Sequence, residues 1–132
     1  MKEKNVNEEE AINKIAYGFE IQMVGEDGKV RPFMFFVSHN NNLNLLYVQK
    51  DTKNINKLEI ARITQIQFGN QTGNFKKLSP ERLSKYSKDL CLTIIINVRS
   101  FDLIFYKLED IKEFSFGMSS LWDEFISQGQ LE

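Results

Sequence analysis

Five basic side chains have the type and spacing to grip an anionic group. Lys29 and Arg31 sit just after a Gly25-Glu26-Asp27-Gly28 cluster, and Lys50, Lys53 and Lys57 follow in the next polar stretch but one. Ammonium and guanidinium groups form charge-assisted hydrogen bonds to phosphate oxygens. Each Lys or Arg near an anionic bilayer contributes about 1 kcal/mol. Four or five together give salt-sensitive adhesion without recognition of one head group. A second basic set, Lys76, Lys77, Arg82, Lys85 and Lys88, is opposed only by Glu81 and Asp89. It reads either as a further membrane or partner contact or as a solvated loop.

Other chemistries lack their residues. With one cysteine, Cys91, and one histidine, His39, the chain has no internal disulfide, no Cys-rich zinc site and no His-based metal site or triad. Cys91 opens an apolar strand, with no base beside it to make it a nucleophile. His39 belongs to an Asn-rich turn and is expected to face solvent. The Gly69-to-Gly73 spacing lacks the Lys-Ser/Thr and the helix of a phosphate-binding loop. Catalysis, metals and cofactors are therefore not expected. The seventeen basic and eighteen acidic residues nearly cancel, so net charge cannot drive nucleic-acid binding.

The elements that must position the basic residues follow from periodicity. Phe19, Ile21 and Met23 alternate with polar residues, and Asp27-Gly28 is a strong hairpin signal. Further strands are expected over 31–38, 43–49, 57–59, 63–68, 90–98 and 99–106. A Gly-, Asn- and Lys-rich connection over 69–89 holds a helical turn after Ser79, with Pro80 at its first position. Ile111, Phe114, Met118, Leu121, Trp122 and Phe125 recur at three and four residues, which predicts an amphipathic helix over 109–127. Asn7, Glu10, Ile12 and Ile15 predict a short N-terminal helix over 7–16. The fold class is mainly β (α+β): a seven-stranded antiparallel barrel or sandwich whose open end the C-terminal helix plugs. In such a meander the connections after the first and third strands leave at the same end. That places Lys29 and Arg31 beside Lys50, Lys53 and Lys57. The Phe-rich second strand and Trp122 read as core and helix packing, with a peptide-binding surface as the alternative.

The order of these elements resembles the pleckstrin homology domain, and more narrowly the type found in phospholipases C. The segments "ITQIQFGNQTGNFKKL", "LCLTIIINVRSFDLIF" and "EDIKEFSFGM" carry the likeness, which spans about residues 8 to 126. The chain departs from that pattern in two places. Phe114 stands where the helix tryptophan is usual, with Trp122 two turns later. Gln22 stands where strong phosphoinositide binders place a lysine, so only Lys29 and Arg31 remain, beside Glu26 and Asp27. The Asn-, Lys- and Ile-rich composition is similar to that of proteins from AT-rich genomes. Two apicomplexan groups also resemble the chain, the acylated pleckstrin-homology proteins and the inner-membrane-complex subcompartment proteins.

The resemblance implies a membrane-recruitment module that binds acidic phospholipid head groups, phosphatidic acid or a phosphoinositide, with a second anchor such as an N-terminal acyl chain. The alternative is a protein-interaction scaffold with a degenerate lipid pocket. The expected state is a monomer, peripheral at the cytosolic face of a membrane or organelle. Residues 1–7 are expected to be a flexible segment, 8–127 the domain and 128–132 a tail, with 131–132 compatible with a vector-derived end.

Overall fold

The computed structural model describes residues 17–39, 43–71, 73–97 and 99–127, with side chains at all of these but 38, 39, 43 and 124–127. The expected N-terminal helix over 7–16, the side chain of His39 and the tail after 127 lie outside them.

Period-two segments form the seven expected strands: β1 (Phe19–Val24), β2 (Val30–His39), β3 (Leu43–Gln49), β4 (Ile55–Glu59), β5 (Gln65–Phe68), β6 (Cys91–Ile96) and β7 (Arg99–Phe105). The Asp27-Gly28 signal is a real turn. Gly28 has φ +77°, a region open to glycine without strain, and its N–H donates to the Gly25 carbonyl at 2.9 Å. β4 begins two residues before the expected strand and β5 two residues later, with Ile60–Arg62 wound into a 3-10 turn between them.

The strands make one antiparallel sheet in the order β4-β3-β2-β1-β7-β6-β5. β1 pairs with β2 on one side and with β7 on the other, so the last strand returns beside the first. The register sets Ile21 opposite both Phe33 and Phe105, and Phe35 opposite Tyr47. Alternation then points these side chains to one face, where Ile21, Phe35, Leu45, Leu92, Ile94 and Leu103 are buried. The sheet curls. The Tyr47 ring of β3 meets the Phe101 ring of β7 at 5.8 Å, although two strands separate β3 from β7.

The C-terminal helix, α2 (Leu108–Ser127), closes one end of this half-barrel. Its Phe114 ring meets Phe19, at the start of β1, at 5.8 Å, and Phe105, at the end of β7, at 5.3 Å. Ile111, Met118 and Leu121 of the same stripe are buried, and Trp122 packs partly against the core. Full burial of a side chain such as Phe114 contributes about 1.5–3 kcal/mol.

The long connection after β5 is more ordered than a solvated loop. It turns through Gly73–Lys77 and the single-turn helix α1 (Pro80–Leu83), whose cap is the Ser79 hydroxyl accepting from the Arg82 N–H at 3.3 Å. Phe75 and Leu78 are buried against Val24, Cys91 and Ile104 on the outer face of the sheet, forming a second small core. Asp102 fixes its path. This fully buried carboxylate accepts from the Thr93 hydroxyl at 2.6 Å, the Asn74 N–H at 2.7 Å and the Ser100 hydroxyl at 3.3 Å. Gly73 has φ +59°, and a Cβ there would stand 2.5 Å from an Asp102 oxygen.

Candidate functional site

The end of the half-barrel opposite α2 is open. The turn after β1, the connection after β3 and the start of β7 meet there around a cavity of about 380 Å³. Its lining includes Glu26, Tyr47, Asn54, Asn56, Arg99 and Phe101, with Gln49, Thr52, Asn74 and Ser100 adding further amides and hydroxyls. The connections after the first and third strands therefore do share one end. Arg99 sits over the Phe101 ring, its guanidinium carbon 4.9 Å from the centroid. Phe101 in turn packs edge-on against Tyr47, so a short aromatic stack supports the Arg99 cation. Burial pushes the Tyr47 hydroxyl above its usual pKa, against the smaller opposing pull of the Arg99 charge.

Among the described residues, the chemistry of this mouth is that of amides and hydroxyls with one cation and one carboxylate. Arg99 and Glu26 cancel in charge. A multiply charged phosphate ester needs several converging cations to offset its desolvation. Among the described residues this lining holds one.

None of the five basic residues singled out from the sequence lines the cavity. Arg31 lies at its rim, in an exposed ion pair with Asp27. Its guanidinium donates to the two carboxylate oxygens at 3.1 and 2.6 Å. That pairing, with the Lys29 N–H donating to Asp27 at 3.0 Å, holds the Asp27 carboxyl well below the usual carboxylate range. The Lys29 ammonium is exposed beside this pair. Lys50 forms an ion pair with Glu20 of β1. Lys53 is exposed in the connection after β3. Lys57 is exposed within β4, opposite Leu46. Its neighbour Leu58 faces the core, so strand alternation turns Lys57 to the outer face, away from the mouth.

The second basic set divides. Lys77 donates to the Glu26 carbonyl at 2.5 Å and lies against Gly28, so the long connection docks on the turn after β1. Two clusters that are far apart in sequence thus meet at one edge of the mouth. Lys76, Arg82, Lys85 and Lys88 are exposed, with Lys88 on the far side beside α2.

Arg99 was missed by the sequence reasoning, although it shares strand parity with Phe101, Leu103 and Phe105. Asp102 was missed as well, and its signal was plain: a carboxylate amid Phe101, Leu103, Ile104 and Phe105. Cys91 is buried, as an inert structural thiol should be. It donates to the Ser87 carbonyl at 3.3 Å, and burial pushes its pKa to about 11. Among the described residues no group of three or more His, Cys, Asp or Glu side chains is placed to hold a metal ion. Among the same residues no helix is long and apolar enough to cross a membrane.

Comparison with known proteins places the fold. No protein-family profile matches the chain, and no curated protein matches it in sequence. Solved structures do match in shape, among them two from one organism. Inner Membrane Complex Sub-compartment Protein 3 from Toxoplasma gondii superposes with a TM-score of 0.60 at 13% identity, over 94% of this chain and 86% of that one. Sub-compartment Protein 1 from the same organism gives 0.58 at 9% identity, over 87% and 88%. The likeness is one of fold. It matches the shape that the strand and helix periodicities had implied.

Proposed function

We propose that the chain is a non-catalytic adaptor of the pleckstrin homology type, held in a membrane-associated assembly chiefly by protein contacts. The observation that carries this reading is the composition of the open mouth. Among the described residues its single cation, Arg99, is balanced by Glu26, and Arg31 and Lys50 are already paired with Asp27 and Glu20. An enclosed head-group clamp would instead draw several unpaired cations toward one point. The names of the two structural neighbours, inner-membrane-complex sub-compartment proteins, support a membrane-associated setting. The reading needs no metal, cofactor or nucleic acid, and it takes the chain as a monomer peripheral to the cytosolic face of its membrane.

A second reading has its own support. Lys77 docks on the β1–β2 turn and adds to exposed Lys29 beside the mouth, with Lys53 on the neighbouring connection. Such a rim suits weak adhesion to acidic phospholipid, phosphatidic acid or a phosphoinositide. The double reversal Lys29→Glu with Arg31→Glu separates the two. If protein contacts dominate, the variant stays in the membrane fraction of cells that make the native protein. Its release to the soluble fraction, with an unchanged melting temperature, would favour lipid as the main anchor.

A further inference from the structure

A second cavity, of about 470 Å³, lies at the helix end of the half-barrel, away from the mouth. Phe68, the last residue of β5, forms one wall, and Leu108 and Ile111 from the first two turns of α2 form another. Phe68 is 67% exposed and Leu108 48% exposed, which is costly for two large apolar side chains that frame one groove. Lys88 and Lys112 line the groove as well, with Asp89 as the carboxylate among its lining residues, leaving a net positive charge.

The backbone adds an independent feature. β5 is an edge of the sheet: it pairs with β6, from Gln65 opposite Ile95 to Phe68 opposite Leu92, and no described strand lies on its other side. An unpaired edge offers a row of N–H and C=O groups to an incoming strand. Four residues of strand span about 13 Å. The edge therefore runs into the groove at Phe68.

We infer that this groove receives an extended acidic peptide of a partner protein. The peptide adds as a strand to the free edge of β5, sets a large apolar side chain between Phe68 and Leu108, and places carboxylates against Lys88 and Lys112. Main-chain pairing supplies affinity in such a mode, and the side-chain pocket supplies specificity. Lysines at the rim select acidic flanks and speed encounter. The inference rests on the adaptor reading, and it assigns that reading a surface and a class of ligand.

The test is selection of a random peptide library, displayed on phage, against the full chain. The expected consensus is an aromatic or aliphatic anchor with Asp or Glu on either side. Phe68→Ser, at an exposed position, should weaken a selected peptide roughly tenfold, as loss of an interface anchor does, with the melting temperature held. Lys88→Glu with Lys112→Glu should turn the preference toward basic flanks, and N-methylation of alternate peptide amides should abolish binding. Selected peptides that bind the Phe68 and Lys variants as well as the parent would overturn the groove and leave the adaptor reading standing. Failure to select any peptide would count against both. Loss of acidic-vesicle sedimentation on Phe68→Ser, with peptide binding unchanged, would assign the patch to a bilayer and overturn the peptide.

Discussion

Arg31 and Asp27 face each other across the turn that joins β1 to β2, with guanidinium nitrogens 3.1 and 2.6 Å from the two carboxylate oxygens. Both side chains are substantially exposed, so the pair adds little to stability. Its consequence lies in charge. The arginine best placed to reach a phosphate at the hairpin is neutralised by its own turn. Asp27→Ala should release it and strengthen binding to acidic vesicles by about fivefold, the equivalent of about 1 kcal/mol for one added cation. Co-sedimentation of parent and variant measures the difference, and equal binding would show that Arg31 does not face the bilayer.

The same pair sets a pH expectation. The Asp27 pKa is depressed by Arg31 and by the Lys29 N–H. A depressed carboxylate keeps its contribution above the unfolded-chain value and loses it only as pH falls through the lower folded value. Mild acid, at about pH 5, is therefore not acid enough to free Arg31. Titration of the Asp27 carboxyl by NMR should show it ionised throughout the range from about pH 4 to 8. A midpoint at or above the ordinary carboxylate value of 3.8 would mean that the ion pair does not hold in solution.

Phe114 carries the junction between helix and barrel through its rings against Phe19 and Phe105. Phe114→Ala should cost about 3–5 kcal/mol, from lost burial plus the cavity left behind. Urea unfolding of the two proteins reads this directly. An unchanged midpoint would place the helix stripe outside the core.

Asp102 ties the long connection to the sheet. Asp102→Ala removes one partner of the buried Thr93 hydroxyl and takes from the Asn74 N–H its Asp102 acceptor, the latter at a cost of about 1–3 kcal/mol. The loss should be concentrated in one region, with faster amide exchange over 73–78 and little change over β2 and β3. Uniform acceleration across the sheet would show that Asp102 serves the whole barrel and not this connection.

Cys91 gives a chemical probe of the second core. Its pKa is raised by burial from 9.0 to about 11. A raised folded-state value means that the protonated thiol favours the folded chain. Its contribution is complete below about pH 9 and is lost as pH rises through about 11. Ellman's reagent should leave the folded protein unmodified at neutral pH and react on unfolding. Rapid reaction of the native protein would mean that the packing of Phe75 and Leu78 over Cys91 opens readily.

Periodicity made the fold legible. Alternation in Phe19–Met23 and Phe101–Phe105, and the three-four spacing of Ile111, Phe114, Met118 and Leu121, are each local signals of a buried face. The site was legible in part. Connections that share a barrel end follow from strand counting, so the meeting of the β1–β2 turn with the β3–β4 connection was within reach. The fate of individual cations was not. Whether Arg31 turns to Asp27, Lys50 to Glu20 or Lys57 to the outer face depends on side-chain partners and strand register, which spacing does not encode. Arg99 enters the mouth only because β7 returns beside β1, a pairing between the two ends of the chain. The long connection looked solvated because its polar and charged residues far outnumber its apolar ones, yet Phe75, Leu78 and the Asp102 anchor decide its path.

The measurement that bears most directly on the account is sedimentation of the purified chain with vesicles of phosphatidylcholine carrying phosphatidic acid or one phosphoinositide at a time, at low and at physiological salt. The charge-balanced mouth predicts weak binding that follows total vesicle charge, shows no preference among head groups and is lost at physiological salt, where screening shortens to about 8 Å. Retention of one phosphoinositide at physiological salt, abolished by Arg99→Ala, would contradict it and make the mouth a head-group site.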